Sequence, residues 1–151
     1  MKERRDARRL ALDVLYEAEI RDQLPTEAFE ARRRGGWVLA ASDEDGSRST
    51  VEPVPAVLAY ARTLVEGVQE HQADIDALIA EVADKWAIQR MPVVDRTLLR
   101  MAIFELLWRD DVPVAVAINE AVELAKALST DDSGRFINGV LGRVVERRVA
   151  E

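Results

Sequence analysis

Between Val94 and Trp108 apolar side chains point almost all the way round a helix, and the only charged residues in the run are Asp95, Arg96, Arg100 and Glu105. A helix that is apolar on nearly every side must be covered on nearly every side. The segment therefore predicts a buried central helix with other elements packed around it. At 151 residues the chain has the length of one ordinary domain, enough to bury such a core without disulfides or metals. With 48% hydrophobic and 32% charged residues but only seven Gly and five Pro, the composition fits a packed helical globule rather than a disordered or fibrous chain.

The other elements follow from spacing. Ala7, Leu10, Ala11, Val14, Leu15 and Ala18 recur at i, i+3, i+4, i+7 and predict a helix over about residues 3 to 21. Pro25, Thr26 and Glu27 suit a helix start, with a short helix to about Arg34 ended by Gly35 and Gly36. Ser42 to Pro55 lacks periodicity and reads as part of a mobile loop over about residues 36 to 55. Residues 56 to 85 predict two helices broken near His71 to Asp74. Asp110 or Asp111 is expected to cap a helix whose first turn holds Pro113, and Asp131, Asp132 or Ser133 to cap a last helix burying Ile137, Val140, Leu141 and Val144. No useful β-type alternation occurs, so the class is all-α with about seven helices.

Several kinds of chemistry are not supported. The lone histidine, His71, has no second His or Cys to share a zinc ion with and reads as a solvated helix-end residue. Asp43, Asp45 and Gly46 resemble the start of a calcium loop, but Arg48 falls where the turn glycine belongs and Val54 where the bidentate Glu belongs. Walker, G-x-G-x-x-G and G-x-S-x-G spacings do not occur. No metal or cofactor is expected, and a binding protein is favoured over an enzyme. Charges interrupt every apolar stretch before the roughly 18 residues needed to cross a bilayer. Asp13, Glu17 and Glu19 fall where a signal peptide would be apolar. The absence of cysteine fits a reducing compartment, and the cytoplasm is the expected location.

A net charge of -7 argues against nucleic acid at long range, yet residues 1 to 9 carry Lys2, Arg4, Arg5, Arg8 and Arg9 against only Glu3 and Asp6. On a helical wheel Arg5, Arg9, Leu12 and Tyr16 form one stripe, and Arg4 and Arg8 a second row beside it. Guanidiniums grip phosphates bidentately and an aromatic ring stacks on an unpaired base, so this face suits single-stranded RNA. A solvated helix end making weak pairs with neighbouring acids, with Tyr16 in the core, fits the same residues.

Four further stretches add a resemblance: RRDARRLALDVLY (4 to 16), VVDRTLLRMAIFELL (93 to 107), DVPVAVAINEAVELAK (111 to 126) and STDDSGRFINGVLG (129 to 142). Together they resemble the NusB family of transcription antitermination factors. The resemblance implies one non-catalytic domain of two small helical bundles, here about residues 1 to 70 and 72 to 151. It implies binding to the boxA element of ribosomal RNA leader transcripts together with NusE, the ribosomal protein S10, within an RNA polymerase antitermination complex. By position it assigns RNA contact to Arg4, Arg5, Arg8 and Tyr16, with Arg9 on the same face, and to the turn at Asp132, Ser133, Arg135 and Phe136. NusE contact falls to Trp86, Gln89, Arg90 and Asp95. Asp132 as an N-cap, Phe136 as core and Asp95 as a cap or arginine partner are the structural alternatives. Asn138 reads as a buried residue bonding backbone, and Gly139 as a point of close helix approach. Asp6 departs from the basic pattern, and the segment around 35 to 55, with Arg32 to Arg34 before it, has no counterpart in the resemblance. A self-associating helical module, reflecting family members that form homodimers, and a detached front domain of a ribosomal RNA cytosine methyltransferase are the alternative functions.

Overall fold

The computed structural model of the chain describes residues 2–42, 48–50, 53–83 and 86–150. Helix α4 (Val93–Trp108) is the buried helix expected from its all-round apolar pattern: Leu98, Leu99, Met101, Ala102, Ile103 and Phe104 are each at most 5% exposed. The other elements, in chain order, are α1 (Lys2–Ile20), α2 (Pro25–Gly35), strands β1 (Val38–Ser42) and β2 (Arg48–Thr50), α3 (Pro55–Val82), a 3-10 turn (Ile88–Arg90), α5 (Val114–Leu128) and α6 (Asp131–Ala150). Six α-helices and one 3-10 turn among the described residues agree with the all-α reading. The strands pair antiparallel, Val38 opposite Thr50 and Ser42 opposite Arg48, inside the stretch expected to be a loop. Strands of five and three residues are too short to leave a period-two signature. Asp43, Asp45 and Gly46 lie outside the described residues.

The chain divides into two compact units, Met1–Glu66 and Gly67–Glu151, and α3 runs through the division. In the first, Leu10, Ala11, Val14 and Ala18 of α1, Phe29 of α2 and Ala61, Leu64 and Val65 of α3 are buried. Trp37 meets the Phe29 ring edge-on at 5.2 Å. In the second, α4, α5 and α6 pack on one another, burying Ala117, Ala121 and Ala125 of α5 and Ile137, Val140, Leu141 and Val144 of α6. Small alanines on α5 let the helices approach closely.

Five local expectations are corrected. No break occurs near His71, because the polar run to Asp74 contains no Gly or Pro and is the outer side of a helix whose inner side continues through Val68, Ile75, Ile79 and Val82. His71 is not a solvated helix end: its ring stacks on Trp108 at 3.9 Å and 13°. Neither Asp110 nor Asp111 caps α5, whose N-cap is Pro113, and Asp111 instead pairs with Arg109 at 3.0 Å. Close approach occurs not at Gly139 but at Gly67, where an added Cβ would lie 2.1 Å from the Phe104 ring, while Asn138 is exposed.

Candidate nucleic-acid interface

Helix α1 turns Ala7, Leu10, Ala11, Val14, Leu15 and Ala18 inward, so the opposite side faces solvent. Arg5 and Tyr16 lie on that outer side, and Tyr16 is 42% exposed, which removes the core alternative for its ring. Arg9 stands between them and pairs with Asp13 at 3.5 Å. The stripe is not uniformly outward, because Leu12 is buried at 2% exposure.

The second row behaves differently. Arg4 holds its guanidinium over the Tyr60 ring of α3, 4.4 Å from the centroid, and Arg8 approaches the same ring at 5.8 Å. Arg8 is only 4% exposed. Burial of its stem and the Tyr60 face withdraw it from solvent, unlike Arg5 of the first row.

The flank of α1 beyond Tyr16 carries residues outside the set expected from the sequence. Glu17 accepts a hydrogen bond from Arg32 of α2 at 2.6 Å and lies 3.6 Å from Arg21. Burial pushes the Asp13 carboxyl up from its ordinary range, against the opposing pull of the Arg9 and Arg32 charges. The signal that could have flagged this flank is the Arg32 to Arg34 run itself.

In the other unit, the start of α6 is fixed by hydroxyls. Thr130 Oγ1 accepts the Ser133 backbone N–H at 3.0 Å, so Thr130 caps this turn rather than Asp131, Asp132 or Ser133. Ser133 Oγ donates to Asp95 Oδ2 at 2.8 Å and lies 3.0 Å from the hydroxyls of both Ser129 and Thr130. With its one proton on Asp95, Ser133 accepts from both neighbours. Asp95 is 0% exposed and Ser133 is 7% exposed. Two residues expected to meet different partners thus meet each other, and neither presents a free surface. Asp95 does not cap α4, whose N-cap is Pro92, and its carboxylate is held by the Ser133 hydroxyl rather than by an arginine.

Asp132 and Arg135 do face solvent, at 88% and 79% side-chain exposure, and pair with each other. Phe136 is half-buried and takes the Trp86 ring edge-on at 4.8 Å and 71°. Gln89 and Arg90 are exposed on the 3-10 turn, which Arg96 Nη1 ties to α4 by donating to the carbonyls of Ile88, Gln89 and Met91 at 3.2–3.4 Å. Among the described residues no group of three or more His, Cys, Asp or Glu side chains could hold a metal ion, and no helix is long and apolar enough to cross a membrane.

Both surfaces fall within a match to the NusB family model over residues 5–146. The chain belongs to the NusB family. It is 49% identical over 146 residues to the "Transcription antitermination protein NusB" of Salinispora arenicola, covering 97% of each chain. Among solved structures, T. maritima NusB superposes with a TM-score of 0.76 at 34% identity, covering 95% of this chain and 90% of that one. A structure described as the antitermination factors NusB and NusE in complex with double-stranded RNA matches with a TM-score of 0.75 at 26% identity, covering 97% and 98%.

Proposed function

We propose that the chain is a non-catalytic, RNA-binding adaptor of transcription antitermination, which binds boxA-type RNA together with NusE and joins an RNA polymerase complex in the cytoplasm. The observation that carries the reading is the outer side of α1, where Arg5, Arg9 and an exposed Tyr16 ring lie on one face. Guanidiniums supply phosphate contacts while the ring supplies a stacking platform that needs an unpaired base, which favours a single strand over a closed duplex. Asp132 and Arg135 are further RNA candidates on the other unit, with the half-buried Phe136 next to them in the chain. For NusE the candidates are Trp86, Gln89 and Arg90. Asp95 drops out of that set because no atom of it reaches the surface.

The test is titration of boxA-type RNA, a scrambled RNA and the boxA duplex, with and without NusE, across a salt series. The single-stranded boxA RNA is expected to bind best, and more tightly with NusE. Replacing Arg5 and Arg9 by Gln should lower the salt slope by about 0.7 for each phosphate no longer neutralised. Equal affinity for boxA and scrambled RNA under every condition would sink the specific-recognition reading.

A further inference from the structure

The acidic net charge hides a regional imbalance. The first 36 residues carry nine Lys and Arg against eight Asp and Glu, whereas the remainder carries twelve against twenty. Within the first unit four guanidiniums converge on three carboxylates, and a fifth meets a backbone carbonyl beside them. Arg32 and Arg21 lie 2.6 Å and 3.6 Å from Glu17. Arg33 and Arg62 lie 2.9 Å and 3.0 Å from Glu30, and Arg62 is also 3.9 Å from Glu66. Arg34 donates to the Glu30 carbonyl at 3.4 Å.

Two features set this cluster apart from ordinary helix-end charge. Cations in the last turn of α2 complement its dipole, but Arg62 comes from α3 and reaches the same Glu30 while held over the Phe29 ring at 4.9 Å. The cluster also abuts the α1 face already described: Glu17 directly follows Tyr16, and Arg9, Asp13, Glu17 and Arg21 form a row at four-residue intervals that Arg32 joins. The Arg33 and Arg62 pairs with Glu30 are exposed and hold weakly, so a polyanion can exchange with that carboxylate at little cost, whereas the Arg32–Glu17 pair is part-buried.

We propose that Arg32, Arg33 and Arg34 of α2, with Arg62 of α3, form a second phosphate-binding patch that carries an RNA strand onward from Tyr16. It rests on the RNA-binding reading and extends it: bases are met at Tyr16, and the backbone beyond is gripped by the end of α2. The patch recognises charge and no base, so its contribution grows with RNA length and is independent of sequence.

The experiment compares a short boxA-type RNA with the same RNA extended at either end by a run of uridines. The proteins are the parent chain, Arg33→Gln/Arg34→Gln, Arg5→Gln/Arg9→Gln and a charge-matched control, Lys126→Gln/Arg147→Gln, each checked by circular dichroism. For Arg33→Gln/Arg34→Gln the expected result on an extended RNA is a roughly fivefold weaker affinity for each phosphate no longer neutralised near 0.1 M salt, together with a lower salt slope. On the short RNA little should change. The control should weaken binding much less. If Arg5→Gln/Arg9→Gln weakens binding and Arg33→Gln/Arg34→Gln does not, the patch is refuted and the RNA-binding reading stands. If neither matters, that reading falls too. A loss confined to NusE binding would assign the patch to an acidic protein surface and overturn the proposal.

Discussion

The Asp95–Ser133 contact gives the sharpest test of how this fold is held. Replacing Ser133 with Ala removes the hydroxyl donated to Asp95 Oδ2 at 2.8 Å, and the other oxygen, Oδ1, is buried without a protein partner. Hydrogen bonds from a neutral donor to a carboxylate contribute about 1.5–3 kcal/mol when buried. At roughly 2–4 °C per kcal/mol for a chain of this size, Ser133→Ala should lower Tm by roughly 3–12 °C. Asp95→Lys is worse, because it forces a long cation into a site with 0% exposure beside the Ser133 hydroxyl that donated to the acid. A cost of about 3–5 kcal/mol or more is expected, enough to unfold a marginal domain. Thermal melts by circular dichroism of the two variants, Asp95→Ala and the Asp95→Ala/Ser133→Ala double variant close the thermodynamic cycle. The coupling between the two sites should reach about 1 kcal/mol or more. Asp95→Lys melting at the parent temperature, or a cycle with no coupling, would refute the interior role and return Asp95 to a surface one. Loss of NusE binding in Asp95 variants should accordingly track loss of folding.

Gly67→Ala should destabilise although alanine favours a helix by about 1 kcal/mol, because the new Cβ lies 2.1 Å from a Phe104 ring that is 5% exposed and backed by His71 and Trp108. Overpacking costs about 1–3 kcal/mol. In a Phe104→Leu background the same substitution should become neutral or stabilising, and urea midpoints read the reversal. Asp13 binds its proton more tightly folded than unfolded, so its contribution to stability is fully present below the unfolded value and is lost as pH rises through the raised folded value. Asp13→Asn should therefore gain on the parent as pH rises from strongly acid toward neutral, measured by denaturant midpoints across that window. A constant offset between the two proteins would contradict the assignment.

The all-α class, the central helix and the common stripe of Arg5, Arg9 and Tyr16 on α1 are legible in the sequence because each rests on spacing along one helix, whereas the outward direction of Tyr16, on a stripe whose Leu12 is buried, came from the fold. Val94 to Trp108 is apolar on nearly every side wherever its neighbours come from, and Arg5, Arg9 and Tyr16 share a stripe by helical geometry alone. The short hairpin and the unbroken α3 were not legible, since three to five residues carry too little period and a polar run marks a helix surface as readily as a loop. Long-range packing settles which polar side chains are available. Arg8 and Arg5 are alike in sequence, but the Tyr60 ring of α3 lies against one of them. Asp95 and Asp132 are both acids in the first turn of a helix, yet one is sealed against Ser133 from 38 residues away and the other stands in water. Local periodicity fixes the face on which a residue stands. The distant segment packed on that face determines whether the residue can meet a partner.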